Sequence, residues 1–590
     1  MIMNIAVVLL VLGIAYVWMV RGVFSSMLQM LCVLFAGAIA LAFWEKLALM
    51  LVDASPQRGF LSFLESIAWG VALVIPFVIY VLLLRLLADK LIPGNITSAK
   101  AVNYAGGAVC GLVTGVIATG VLVLGVSNLR LPTTFLGYQP LWYSSDRAVG
   151  AGSLVRSDSL WIPVDQLVAG LYARMSSGTL STEEPLAKWY PELELVGFAS
   201  RVSPGEGAAR NAVRPDDFQI KSVYTVGDSA SATPVAELLK DGGETEQRYI
   251  DIGSEPVATG SLIGYVVEFE PGAKERGERG GGQLVVSNGQ FRLLAQNDQG
   301  ESRTIFPVAT ISESSEAGKF GRWRYDAPDV FITSTGGQSR VPMAFEFIVP
   351  QGYQPLALYV KNVRVPATSM PEPVEFATTA ERDRRVRTGS ILTGTDSRRE
   401  LETAGVTVID PGADREIVRD TTSIMDLVST SAARRGLTLD DQNEIVDGEG
   451  NFDVKLEVGR SNAPVSRNLR VEDYAVGRGQ SLIKINVGAE SPIGFLSENA
   501  REAPLDAPLL LIDSNGNEYE AIGFEYKDRE IMTLRYTRGS TLSGVQDTPS
   551  LSTTRDDQEL NLLFIVTSGV EITHFAIGDV AIARFEPPID

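Results

Sequence analysis

Cysteine and histidine are almost missing from this chain. Its 590 residues hold two cysteines, Cys32 and Cys110, and a single histidine, His574. Both cysteines lie inside apolar stretches near the N-terminus, so everything beyond residue 130 has none. Disulfide stapling, cysteine-based zinc binding and a cysteine nucleophile are thereby excluded from that part. One histidine cannot build a His-rich metal centre, and any Ser-His-Asp triad would have to run through His574. That residue sits in Val570-Glu571-Ile572-Thr573-His574-Phe575-Ala576-Ile577, which reads as the start of an ordinary strand. There is no Gly-x-Ser-x-Gly elbow either.

Charge is also missing, but only locally. Ile2 to Val20, Gly22 to Trp44, Ser66 to Leu84 and Ala101 to Leu129 contain no charged side chain over 19, 23, 19 and 29 residues. About 20 apolar residues in a helix cross a bilayer core, where lipid offers the backbone no hydrogen-bond partners. Four spans are expected. The first is too long for a signal-peptide core, and nothing before Ile5 is basic. Arg21-Gly22 joins spans one and two, a loop from Glu45 to Glu65 joins two and three, and Arg85 to Lys100 joins three and four. Such connections predict a compact antiparallel four-helix bundle.

Residues 1–130 carry seven Lys/Arg and four Asp/Glu, net +3, which leaves −23 for the remainder. A surface that acidic repels phosphate backbones, so nucleic acid is excluded as a partner. With the N-terminus outside, the inner loops hold Arg21, Arg85, Lys90 and Lys100, against Lys46, Arg58 and Arg130 on the outer side. The bias places the soluble part outside the cytoplasm. Glu65 and Arg85, at the ends of span three, are expected to snorkel to the interface. Pro76 within that span predicts a kink.

In span four Gly107, Gly111 and Gly115 recur at every fourth residue, a stripe on which a neighbouring helix can approach closely. It predicts packing within the bundle or, as a homo-oligomer, against a second copy. The Arg21-Gly22-Val23-Phe24 junction, together with the glycine-stepped run Asn103-Tyr104-Ala105-Gly106-Gly107…Gly111…Gly115, resembles the colicin V production (CvpA) family over residues 1–175. The resemblance implies a bacterial inner-membrane protein connected with envelope homeostasis and export. Some relatives fuse this module to a periplasmic serine protease, which implies an external C-terminal part. Family members often carry an acidic residue just before span one, where this chain has Asn4.

Residues 131–215 read as a juxtamembrane connector. Trp161, Val164, Leu167, Val168, Leu171 and Met175 recur at helical spacing up to Gly178. The polar side of this helix is poor in Lys/Arg, which favours packing on protein over lipid. From residue 216 onward, short Val/Ile/Tyr/Phe runs alternate with polar residues between Gly, Asn, Asp and Pro, as strands do. Two stretches repeat. Phe291–Gly300 parallels Leu509–Gly516, and Ala344–Gly352 parallels Asn561–Gly569, at offsets of 216 and 217 residues. A duplicated immunoglobulin-like β-sandwich is expected: a first copy at 216–370, a small mixed segment at 371–465, and a second copy at 466–590. Short helices are expected at Pro234–Lys240 and Thr422–Arg435.

Chemical candidates are few. Asp447, Glu449, Asn451 and Asp453 place oxygens at alternate positions, as a calcium loop would, without the glycine and glutamate an EF-hand demands. Strands around an acidic turn account for the same pattern. Gly277-Glu278-Arg279-Gly280-Gly281-Gly282 lacks the Lys-Ser/Thr of a phosphate loop and reads as a hairpin tip. Arg382-Asp383-Arg384-Arg385-Val386-Arg387 reads as a solvated face or linker, with docking of an acidic partner as the alternative. The expectation is a non-enzymatic membrane protein without cofactor, its sandwiches binding envelope proteins or polysaccharide. The alternative is a transporter or channel component whose bundle oligomerises around a solute path.

Overall fold

The structure is a computed structural model. It describes the whole chain except residues 57–59, 93, 95–98, 133, 144–153, 179–180, 182–183, 202–209, 228–232, 240–248, 276–282, 315–318, 326–331, 334–338, 394–400, 420–423, 425–435, 454–470, 472, 478 and 539. The expected helix at Thr422–Arg435, apart from Ile424, and the run Gly277–Gly282 therefore lie outside the described residues.

Among the described residues four helices are long and apolar enough to cross a membrane: α1 (Ile2–Arg21), α2 (Val23–Ala54), α3 (Leu64–Leu91) and α4 (Lys100–Ser127). α4 is central and packs on α1, α2 and α3, while α1 and α3 lie apart along most of their length. The expected Glu45–Glu65 loop is shorter than the charges suggested. The apolar stripe Leu41, Trp44, Ala48, Val52 stays buried past Glu45 and Lys46, so α2 continues ten residues beyond Trp44, to Ala54. α3 runs through Pro76 without interruption.

The connector helix α5 (Val164–Ser177) lies on the bundle. Tyr172 donates its hydroxyl to Leu34 O at 3.1 Å, and Val168 fills the space left by Gly120. A second connector helix, α6 (Leu193–Arg201), is buried along its whole length and packs across the end of α4. The short helix expected at Pro234–Lys240 is found at Val235–Leu238.

The β region is a tandem of sandwiches. In the first, β1 (Phe218–Val226), β2 (Thr259–Phe269), β5 (Ala309–Glu313), β6 (Phe320–Arg324), β7 (Val341–Pro350) and β10 (Val374–Phe376) form one sheet in the order β6-β5-β7-β2-β1-β10. Against it packs a sheet of β3 (Phe291–Asn297), β4 (Ser302–Ile305), β8 (Tyr353–Val360) and β9 (Val363–Pro366), in the order β9-β8-β3-β4. Leu293, Phe291 and Leu358 from the second sheet interlock with Val267, Phe345 and Phe347 from the first in one core. β10 and the helix that follows, α7 (Thr379–Arg387), belong to this sandwich although the segment reads as a linker: β10 pairs parallel to β1, and α7 packs on β6 and β10.

The second sandwich repeats nine strands of the first and adds others at its edges. It contains β11 (Thr407–Ile409), β12 (Val418–Arg419), β13 (Leu437–Leu439), β14 (Glu444–Asp453), β15 (Asp473–Tyr474), β16 (Gln480–Asn486), β17 (Leu509–Asp513), β18 (Glu518–Glu520), β19 (Gly523–Lys527), β20 (Ile531–Thr537), β21 (Glu559–Thr567), β22 (Ile572–Ile577) and β23 (Val580–Ile589). One sheet runs β12-β16-β21-β19-β20 and continues into β14 and β13; the other runs β11-β23-β22-β17-β18. These orders match β1-β2-β7-β5-β6 and β9-β8-β3-β4, with nine strands in the same chain order. β2→β3 and β7→β8 cross between sheets, as in immunoglobulin-like sandwiches.

The turns repeat too. Asn297 and Asp513 each accept two backbone N–H groups across the hairpin, at 2.8–3.1 Å, ahead of Gly300 (φ 82°) and Gly516 (φ 85°). This is an Asx-type turn with a glycine in the left-handed region. At the β8–β9 turn, however, Lys361 (φ 53°) stands where the β22–β23 turn has Gly578 (φ 57°).

Candidate functional site

The bundle has two unlike ends. At one of them Gly22 turns the chain from α1 straight into α2, in the left-handed region at φ 89°. A Cβ there would meet Asn103 Oδ1 at 2.6 Å, and that oxygen accepts the Val23 N–H at 2.9 Å. Asn103 thus satisfies one of the open N–H groups of α2 and ties the α1–α2 reversal to α4. The neighbouring Arg21 guanidinium lies 4.9 Å from the centre of the Trp18 ring, and Arg85 of α3 lies 5.3 Å from it. Arg85 is held by Asp89 at 2.8 Å and by the Ser25 carbonyl and hydroxyl at 3.1 and 3.0 Å. Lys90 and Lys100 are exposed at this same end.

The glycine stripe faces α1 of the same chain. A Cβ on Gly107 would lie 3.1 Å from Met19 O, one on Gly111 2.8 Å from Ala15 O, and one on Gly115 2.7 Å from Val11 O. Successive turns of α4 therefore touch successive turns of α1, backbone against backbone.

The other end is the junction with the sandwiches, and here the polar side chains converge. Glu65, expected to snorkel, is instead buried and accepts Arg210 Nε at 2.6 Å, with both side chains at most 6% exposed. The chain folds back over the start of α3 and takes Glu65 out of reach of water. Arg210 Nη1 also donates to Lys274 O at 2.8 Å, and its backbone N–H to Glu275 Oε1 at 2.8 Å. Glu275 reaches Arg130, past the end of α4, at 3.4 Å. Arg201 of α6 donates to Leu129 O at 2.8 Å and to Val126 O, so a buried cation closes the C-terminal end of α4. Burial pushes the Arg201 guanidinium down to about 10. Gln290 Nε2 ties α6 to the Arg210 segment by donating to Ser200 O at 3.1 Å and to Arg210 O at 3.2 Å.

Beside this network the outer face of the β9-β8-β3-β4 sheet rests on α2. Leu294 and Tyr359 share a core with Trp44, Trp69 and Tyr190. Trp44 Nε1 donates to Trp69 O at 2.8 Å, and the rings meet edge-on at 5.5 Å. Arg364 bridges Glu45 of α2 at 3.3 Å, and Arg292 lies over Tyr359 at 4.4 Å. Lys361, 1% exposed, has no hydrogen-bond partner for Nζ among the described residues. Burial pushes its ammonium down to about 8, and Glu275 opposes the shift. At the N-terminus Asn4 Oδ1 accepts the Trp161 N–H at 2.8 Å, linking the start of α1 to the approach to α5.

The other sequence candidates are not brought together. Asp447, Glu449, Asn451 and Asp453 lie on one continuous strand, β14, paired to β20 along its length. Alternate residues of a strand stand about 6–7 Å apart, too far for a single loop-type cation cage. Asn451 Oδ1 already accepts the Thr533 hydroxyl at 2.7 Å. Among the described residues no group of three or more His, Cys, Asp or Glu is placed to hold a metal.

His574 is a half-buried strand residue of β22 beside Thr573, its ring pushed below the ordinary histidine range by burial and then by Arg584. Within the arginine run Arg384 and Arg387 are exposed, as on a solvated face, but Arg382 is fully buried on α7, 3.4 Å from Glu346 of β7, which Arg322 also meets at 2.6 Å. Burial opposes ionisation of Glu346, but Arg322 and Arg382 outweigh it and hold the carboxyl below the ordinary range. This is a structural lock between sheet and helix, with Tyr224 donating to Glu346 at 3.0 Å.

No protein-family model, curated protein or solved structure matches this chain.

Proposed function

We propose that this chain is a non-enzymatic integral membrane protein of the CvpA-like type. In this reading the bundle holds two sandwiches on the extracytoplasmic face of a bacterial inner membrane, where they bind envelope proteins or polysaccharide in envelope homeostasis or export. The observation that carries the reading is the continuous core from Trp44 and Trp69 of the bundle to Leu294 and Tyr359 of the first sandwich. An anchor that must present a binding module at a fixed height and angle needs such a joint; a flexible tether does not. The orientation is supported by Arg21, Arg85, Lys90 and Lys100 at the end opposite the sandwiches, while Arg130 on the sandwich side is paired with Glu275. The resemblance rests on Arg21-Gly22 and the glycine steps, which here form the α1–α2 reversal and the α1–α4 contact.

The transporter alternative is less well supported, because the ionisable side chains of the bundle stand at its two ends, Glu65 with Arg210 at the junction and Arg85 with Asp89 at the other, and not along a path through the spans. The test is to reconstitute the full chain in liposomes with the sandwiches outward. Retention on isolated cell-wall sacculi or on envelope proteins, without solute flux, is the expected result. Solute flux that Gly111→Leu abolishes while surface binding persists would overturn it.

A further inference from the structure

Between α1 and α3 the bundle leaves an open crevice of about 240 Å³, floored by α2 and α4. Ile14, Phe77, Val78 and Val81 form its walls, with Gln29 and Thr114 as its polar members. The Thr114 hydroxyl is turned onto Cys110 O at 2.8 Å, so the lining offers hydrocarbon almost throughout. At the basic end the crevice closes on Trp18, the ring flanked by Arg21 and Arg85. Arg21 follows Trp18 by one helical turn on α1, and Arg85 follows Val81 by one turn on α3. Both guanidiniums therefore stand at the end of the apolar lining. Arg85 is oriented by Asp89 and Ser25, whereas Arg21 has no carboxylate partner among the described residues. With Lys90 and Lys100 exposed nearby, this end carries four cations against Asp89.

We infer that the crevice is a binding site for an anionic glycerophospholipid. Its phosphate is held by Arg21 and Arg85 beside Trp18, and an acyl chain lies along Val81, Val78 and Ile14. Apolar length topped by paired cations matches a phospholipid of negative charge, the ligand that basic pockets between membrane helices select. The inference rests on the membrane-spanning reading of the bundle and adds a ligand to it.

The test is native mass spectrometry of the full chain in detergent with equal dioleoyl phosphatidylglycerol and dioleoyl phosphatidylcholine. The wild type is expected to retain the anionic phosphatidylglycerol preferentially. Arg21→Gln is expected to lower that preference about fivefold. Val78→Trp, on the exposed part of the wall, is expected to reduce retention of both lipids. Equal retention of the two lipids by the wild type overturns the proposal, as does an unchanged preference in Arg21→Gln. A lipid-free dimer, which would place a second copy in the crevice, also overturns it. Recovery of the chain from cells in a carbonate wash without detergent would instead strike the membrane-spanning reading itself.

Discussion

Arg210 Nε and Glu65 Oε1 are 2.6 Å apart, buried, and separated by 145 residues of chain. The pair joins the first turn of α3 to the segment that enters the first sandwich. Removing one member leaves the other charge buried without its counter-ion, at a cost of about 3–5 kcal/mol. Arg210→Ala is therefore expected to lower the unfolding temperature of the detergent-solubilised chain strongly. Glu65→Gln, which keeps an acceptor for the guanidinium, is expected to cost less. Equal stability of Arg210→Ala and wild type would remove the pair from the joint.

The glycines of the bundle divide by what they face. Gly115→Leu pushes a side chain into Val11 O, and an overpacked contact of this kind costs about 1–3 kcal/mol. Gly13 of α1 has nothing within 4 Å of a Cβ, so Gly13→Ala is expected to leave thermal stability unchanged or slightly raised. Equal losses from both would contradict the assignment of the stripe to α1.

Lys361 gives the joint a dependence on pH with a definite sign. Its ammonium sits near 8 in the folded chain, below the 10.5 of a free lysine. Below pH 8 the folded state must hold a buried charge, and the full cost is present. Between pH 8 and 10.5 the unfolded chain binds the proton and the folded chain does not, so stability rises with pH. Lys361→Met is expected to flatten that rise in thermal melts between pH 7.5 and 10. An unchanged slope would show that Lys361 stays charged.

The spans were legible in the sequence because lipid forbids unpaired backbone, and a charge-free run of 20 residues has few other uses. Their ends were not. Glu45 and Lys46 break the charge-free run, yet Ala48 and Val52 keep the helix packed to Ala54. The duplication was legible at its turns, where Asn297 and Asp513 and the glycines after them fix the same hairpin. It was illegible in β2, whose almost continuous burial removes the alternation that marks a strand. The joint itself could not be read. Glu65 looks like an interfacial acid and Arg382 like a solvated charge until distant segments bury them against Arg210 and Glu346.

A continuous core across the joint predicts that the sandwiches share one fixed side of the membrane and that the Arg21–Arg85 end faces the other. Cys32 and Cys110 are the only cysteines, so replacing both with alanine gives a silent background. Single cysteines at Asn515, in the exposed β17–β18 turn, and at Lys90, at the basic end, then report the two sides. In intact spheroplasts a membrane-impermeant maleimide is expected to label Asn515→Cys at once and Lys90→Cys only after lysis. Labelling of Lys90→Cys in intact spheroplasts with protection of Asn515→Cys would place the sandwiches in the cytoplasm and contradict the account.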